Sequence, residues 1–250
     1  MLLEKKVAII TGAGSGIGRA VGLAYAREGA RVVVSDLDER GGGETVRRIE
    51  EATPGAKAVF VRADVARPED HDALVKAAID HFGALHIACN NAGIGGELNP
   101  IAALSTEGWQ KVIGVNLSGV FYAMRAQIPA LLKAGGGAIV NMASILGQVG
   151  TAGAGGYVAA KHGVVGLTQT AALEYSAQGI RVNAIGPGYI DTPILSALDT
   201  PTRDALVSLH PIGRLGRAEE IAELAVWLSS DRASFVSGAY YPADGGYLAR

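Results

Sequence analysis

Val7-Ala-Ile-Ile-Thr11-Gly12-Ala-Gly14-Ser15-Gly16-Ile17-Gly18 sets an apolar run directly against a glycine-rich turn, and a helical pattern begins behind it. Glycine lets the backbone turn sharply and come close to a charged group, which then faces the first N–H groups of the following helix. The common register G-x-G-x-x-G fails here, because it puts Ile17 or Arg19 in its third place. G-x-x-x-G-x-G fits, at Gly12, Gly16 and Gly18. A glycine turn between a first strand and a helix is where a dinucleotide pyrophosphate binds. The expected contacts are Gly12, Ser15, Gly16, Ile17 and Gly18.

Asp36 closes the second apolar run, 18 residues after Gly18. A carboxylate there accepts hydrogen bonds from both hydroxyls of an adenosine ribose and repels a 2′-phosphate. Neither Ser15 nor Leu37 offers a basic side chain to such a phosphate. The expected cofactor is therefore NAD rather than NADP.

Outward from this unit, apolar runs alternate with helical patterns through the chain. Strands are expected at Val7–Thr11, Arg31–Asp36, Ala58–Asp64, Leu85–Asn90, Ala138–Ala143, Ile180–Ile185 and Ala239–Pro242. Most are near-continuous Val, Ile and Ala, as in strands buried on both faces of a parallel sheet. Ile17, Ala20, Val21 and Ala24 recur at helical spacing, and Glu28-Gly29 closes that helix. Further helices fit Pro68–Phe82, Thr106–Leu132, Gly156–Gln178 and Ala218–Ser229. The alternation predicts an α/β, doubly wound, seven-stranded parallel sheet of the Rossmann type, in one domain over residues 1–250. Only Thr192–Leu215, with Pro193, Pro201 and Pro211, breaks the pattern, and it reads as a mobile flap over a site.

With 49% hydrophobic residues in 250, the chain can bury one large core. A net charge of −2 gives no basic field for nucleic acid. The single cysteine, Cys89, cannot form an internal disulfide, which favours a cytoplasmic setting. The first residues are interrupted by charge and do not read as a signal peptide, and no run approaches a membrane span.

Tyr157-Val-Ala-Ala-Lys161 lies near the start of a predicted helix, where i, i+4 spacing puts both side chains on one face. A tyrosine of pKa about 10 is a poor base near neutrality, but a nearby ammonium and a cationic nicotinamide both favour the phenolate. Tyr157 can then exchange a proton with an alcohol or carbonyl as hydride moves. Ser144 follows a predicted strand at the edge where open α/β sheets bind ligands, and its hydroxyl can hold a substrate oxygen.

In this order, Gly12/Gly16/Gly18, Asp64-Val65, Asn90-Asn91-Ala92-Gly93, Asn116, Ser144, Tyr157/Lys161, Pro187-Gly188 and Asp244-Gly245-Gly246 resemble the short-chain dehydrogenase/reductase family over the whole chain. The resemblance implies catalysis by Asn116, Ser144, Tyr157 and Lys161, with Asn116 holding a water that relays protons through Lys161. It implies that Lys161 also holds the nicotinamide ribose. Asp64 would meet the adenine amino group and Val65 its ring, with Asn90, Asn91, Ala92 and Gly93 on the adenosine side. Pro187, Gly188 and Ile190 would lie against nicotinamide, and Thr192 would bond its carboxamide or a phosphate. It also implies a homotetramer built through Thr106–Leu132, Gly156–Gln178 and Ala239–Arg250, in keeping with Tyr240, Tyr241 and Tyr247. Cys89 departs from the family's aliphatic residue and is expected as a small buried hydrophobe.

The stretch Ile145–Gly156 is small and apolar, so the expected substrate is an apolar secondary alcohol or ketone, cyclic or aliphatic. Gln148, Leu195, Leu198 and Leu206 are weaker candidates for its lining. Readings left open are a 3-oxoacyl or sugar substrate for the same residues, and an NAD-binding regulator without chemistry. His86, His162 and His210 lack metal-ligand spacing and are expected as surface or packing residues.

Overall fold

Alternate residues of Val7–Thr11 (β1) point to opposite faces, Ala8 and Ile10 into one apolar cluster and Val7 and Ile9 into another. The same division runs through Arg31–Asp36 (β2), Ile87–Asn90 (β4) and Gly137–Met142 (β5). Ala58–Arg62 (β3), Ile180–Pro187 (β6) and Tyr240–Ala243 (β9) complete one sheet in the order β3-β2-β1-β4-β5-β6-β9. Every pairing in it is parallel. Ile190–Asp191 (β7) and Gly216–Arg217 (β8) form a separate parallel pair. The computed structural model describes residues 1–192, 195 and 199–249.

Helices cover both faces, as buried parallel strands require. Gly16–Arg27 (α1), Glu39–Ala52 (α2) and Ala218–Ser229 (α8) supply Val21, Ala24, Ile49, Ile221 and Val226 to one cluster. Pro68–Phe82 (α3), Gly119–Lys133 (α5) and Gly155–Tyr175 (α6) supply Leu74, Val120 and Val164 to the other. Cys89 is fully buried in the first cluster.

The structure departs from the sequence reading in the β7–β8 pair, in the strands expected at Ala58–Asp64 and Leu85–Asn90, which are each two residues shorter, and in three helical stretches. Helix α2 is absent from that reading, because Gly41-Gly42-Gly43 hides its period and glycine is a poor helix former. Two of them serve packing: a Cβ on Gly42 would stand 2.0 Å from the Phe60 ring and one on Gly41 2.5 Å from Asp38 Oδ2, while Gly43 faces open space. The helix expected over Thr106–Leu132 is two, Thr106–Ile113 (α4) and α5, joined by a π turn at Gly114–Ser118. Within Thr192–Leu215 the chain forms a helix at Thr200–Ser208 (α7), capped by Asp199, which accepts the Thr202 N–H at 2.9 Å. Pro193 and Leu198 lie outside the described residues. Among the described residues no helix is long and apolar enough to cross a membrane.

Candidate active site

The direction of strand winding reverses between β1 and β4, and a crevice opens there beyond their C-terminal ends. The glycine turn leaves β1 and Asn91-Ala92-Gly93 leaves β4, and one hydroxyl ties them together. Thr11 Oγ1 accepts the N–H groups of Asn91 and Ala92 at 3.1 and 3.2 Å. Asn91 Nδ2 in turn donates to the carbonyls of Thr11 and Gly12 at 3.0 and 3.1 Å. The Asn91 side chain is thus a brace for the turn. Gly12 has φ +65°, and a Cβ on it would lie 2.8 Å from Ala92 Cα, so only glycine fits.

Ser15 is the exposed N-cap of α1 and makes no side-chain cap bond. The first-turn N–H groups, those of Ile17 and Gly18 among them, therefore have no side-chain acceptor and suit an anion. The Ile17 side chain itself packs on the core. Thr192 stands over the turn, its Cγ2 3.3 Å from where a Gly16 Cβ would be.

Asp36 Oδ2 accepts the Gly14 N–H at 2.8 Å and Oδ1 accepts the Asp38 N–H at 3.0 Å. A carboxylate has about four acceptor positions, so two remain for a diol. The sequence reading overlooked Arg19. Its guanidinium donates to the carbonyls of Gly14 and Gly41 and, through Nε, to Thr45 Oγ1 at 2.9 Å. Burial draws that guanidinium below its ordinary value, with Arg48 adding to the effect and Glu44, Asp38 and Asp36 opposing it. Farther along the crevice, Asp64 Oδ1 accepts the Ala66 N–H at 2.9 Å, and the Val65 carbonyl meets His71 Nε2 at 2.9 Å.

Ser144, Tyr157 and Lys161 meet beyond the end of β5. Ser144 Oγ accepts the Leu146 N–H at 3.2 Å, leaving its own proton to donate. The Ser144 carbonyl accepts from the Tyr240 hydroxyl at 2.8 Å. Lys161, one turn after Tyr157 on α6, is 3% exposed. Its Nζ lies 5.5 Å from the Tyr157 ring centroid and donates to the Met142 carbonyl at 2.7 Å. Burial pushes the ammonium down to about 8. For Tyr157 the sequence reading needs correcting. Burial raises the phenol above its ordinary value, and the hydrogen bond with Ser144 only partly opposes it. Desolvation of the phenolate outweighs its neighbours in the chain alone.

Asn116 sits fully buried in the π turn. Its amide closes on one residue, Oδ1 accepting the Ile94 N–H and Nδ2 donating to the Ile94 carbonyl, both at 2.8 Å. Gly93 separates it from the lysine: a Cβ there would lie 3.2 Å from Asn116 Oδ1 and 3.7 Å from Lys161 Nζ. Pro187 ends β6 and Gly188 follows it at the same edge. Ile190 is brought elsewhere. Its side chain is buried in a core cluster, its Cδ1 against Gly216, so only its backbone can face a ligand. Asp191, the last residue of β7, is exposed and pairs with Arg203 at 2.6 Å.

The small residues of Ile145–Gly156 serve packing more than volume. Gly147 lies against the Lys161 carbonyl, Gly155 against Ile101, and Gly156 against Trp109 and Val112. Gly150 alone of that set faces open space. Exposed Leu98 and Val149 instead give this side its apolar surface. The three C-terminal tyrosines make contacts within the chain: Tyr240 with Ser144, Tyr241 with Trp227, and Tyr247 with Tyr189 and His210. The interface expected of them therefore gains no support from those rings. Nothing in the local sequence marks Arg19, Tyr240 or His210 as site residues.

Comparison with known proteins bears on the family and the fold. A family model described as enoyl-(acyl carrier protein) reductase matches residues 12–248. Cyclohexanol dehydrogenase of Acinetobacter sp. is 52% identical over 99% of this chain and 96% of its own. Cis-4-hydroxycyclohexanecarboxylate dehydrogenase of Sinomonas cyclohexanicum is 44% identical, covering 98% and 97%. The crystal structure of levodione reductase superposes with a TM-score of 0.95 at 37% identity, over 99% of both chains.

Proposed function

Because this chain belongs to the short-chain dehydrogenase/reductase family, a family of oxidoreductases, we propose that it interconverts an apolar cyclic secondary alcohol and its ketone with NAD(H). The observation that carries this reading is the convergence of Ser144, Tyr157 and Lys161 beyond β5, with Lys161 buried beneath the tyrosine ring. The substrate class is supported by the relatives, whose names describe six-membered ring alcohols, and by exposed Leu98 and Val149 beside the site.

The residues present fit the cofactor. The uncapped first turn of α1, from Gly12 through Ser15, Gly16, Ile17 and Gly18, would hold the pyrophosphate, with Thr192 above it. Asp36 would hold the adenosine ribose, and Asp64, Val65, Asn91, Ala92 and Gly93 would line the adenosine half. Pro187, Gly188 and the Ile190 backbone would face the nicotinamide, and Lys161 its ribose. Bound NAD supplies hydride acceptance or, when reduced, hydride donation.

The chain's own groups move the proton. In reduction the Tyr157 phenol gives its proton to the carbonyl oxygen while Ser144 donates a hydrogen bond to that oxygen. In oxidation the phenolate takes the alcohol proton. Burial keeps Tyr157 protonated, so oxidation depends on positive charge arriving beside it, from Lys161 and the oxidised ring. The Asn116 amide bonds Ile94 on both sides, and Asn116 would hold the relay water toward Lys161.

A relative from Thermotoga maritima named 3-oxoacyl-[acyl-carrier-protein] reductase, 38% identical over 99% of this chain, favours a second reading, a 3-oxoacyl substrate for the same residues. Initial rates with NAD and with NADP, on cyclohexanols, sugars and 3-hydroxyacyl thioesters, separate the two. NAD-dependent oxidation of cyclohexanols supports the first reading. Turnover of thioesters or sugars alone, or equal use of both cofactors, overturns it. We further expect a cytoplasmic homotetramer, and sedimentation as a monomer at micromolar concentration removes that expectation.

A further inference from the structure

We propose that His210 is a positioning residue with two separable tasks: its Nε2 fixes the wall facing the nicotinamide, and its Nδ1 fixes the end of α7 on the substrate side. The inference rests on the cofactor reading above for its functional consequence. The geometry stands without it.

His210 is 3% exposed, yet both ring nitrogens are spent on backbone groups from different segments. The Tyr189 N–H donates to Nε2 at 3.1 Å, which makes that nitrogen the acceptor. The other nitrogen then carries the proton, and Nδ1–H donates to the Leu206 carbonyl at 2.8 Å. One imidazole thus joins the turn after Pro187-Gly188 to the last turn of α7.

Three features hold the ring in place. A Cβ on Gly188 would lie 2.8 Å from Nε2, so this position is kept bare for the histidine. His210, Tyr189 and Tyr247 form a triangle of rings, each tyrosine centroid 5.7 Å from the imidazole and 6.2 Å from the other. Pro211 follows directly and packs beside Gly246, while the Ile212 N–H donates to the Gly245 carbonyl at 3.1 Å. Pro211 also disfavours helix at His210, which separates the imidazole from α7 and lets it reach back to Leu206. A buried neutral imidazole satisfies one donor and one acceptor, and what sets this one apart is that its two partners belong to different segments. One partner lies in the turn after Gly188 and the other in the last turn of α7.

The two tasks can be taken apart by amides. A glutamine reaches the Nε2 position and keeps an acceptor for Tyr189. An asparagine reaches only the Nδ1 position and keeps a donor for Leu206. Leucine keeps volume and loses both. The first readout is hydrogen exchange of the Tyr189 amide in the protein without cofactor. His210→Asn and His210→Leu speed it, and His210→Gln leaves it near wild type.

The second readout compares NADH with ADP-ribose, which lacks the nicotinamide. His210→Asn and His210→Leu weaken NADH by about tenfold, the cost of one backbone N–H losing its acceptor, with ADP-ribose unchanged. His210→Gln retains NADH affinity and raises KM for the alcohol, whereas His210→Asn retains that KM. The proposal is overturned if all three variants fall together in step with their melting temperatures, or if NADH and ADP-ribose weaken equally. Wild-type protein that binds no NADH sinks the cofactor reading and this consequence of it. The Tyr189 exchange pattern then still decides whether the His210 link exists.

Discussion

Replacing Lys161 by methionine should stabilise the folded chain while removing its proposed chemistry. Lys161 is 3% exposed, and burial lowers its ammonium from 10.5 to about 8. Each tenfold loss of proton affinity is worth about 1.4 kcal/mol, so carrying this charge inside costs about 3 kcal/mol at pH 7. The unfolded chain binds more protons between pH 8 and 10.5, so wild-type stability rises with pH across that window. By pH 9.5 the penalty has fallen to about 1.4 kcal/mol. Methionine matches the length of the side chain but leaves the Met142 carbonyl without its 2.7 Å donor, a loss of about 1 kcal/mol. The variant should therefore gain about 2 kcal/mol at pH 7, or about 4–8 °C in Tm for a chain of this size. At pH 9.5 the advantage should nearly vanish. Thermal unfolding of both proteins at the two pH values reads this directly, and turnover of the variant should fall by about 100-fold or more. A variant less stable than wild type at pH 7, or a gap independent of pH, would refute the reasoning.

Asp36→Ala removes the carboxylate expected to exclude a 2′-phosphate, with Arg19 left nearby. The ratio of NADP to NAD efficiency should rise by about tenfold or more, about 1.4 kcal/mol, and an unchanged ratio in steady-state kinetics would count against the ribose role. Gly42→Val drives a side chain into the Phe60 ring and should cost about 1–3 kcal/mol by urea unfolding. A neutral result would mean that α2 lies farther from β3. Cys89 is fully buried, and its thiol is pushed up to about 12. Iodoacetamide should spare it in the native protein and label it after denaturation, as mass spectrometry would show.

What was legible in the sequence was what repeats locally. β1 and its turn could be read because a buried run, three glycines and a helical period stand side by side. Tyr157 and Lys161 could be read because helical geometry alone brings them together. Helix α2 was hidden because Gly41, Gly42 and Gly43 carry no period, and what Gly41 and Gly42 make room for, Asp38 and Phe60, shows only in the fold. The π turn at Asn116 is a change of hydrogen-bond register within an apolar helical stretch, and side-chain spacing does not record it. His210 meets Tyr189 across 21 residues and Tyr240 meets Ser144 across 96, so their roles exist only once the chain has folded. The small residues of Ile145–Gly156 looked like pocket volume for the same reason, since the helix and turns they pack against are distant or local partners indistinguishable in sequence.

The central claim is that Tyr157 moves the proton while other residues bind the cofactor. Tyr157→Phe, assayed by reduced-nicotinamide absorbance with NAD and cyclohexanol and by NADH binding, tests it most directly. The account predicts that turnover falls to background while NADH affinity stays close to wild type. Turnover within about tenfold of wild type, less than the usual contribution of a general acid or base, would contradict it.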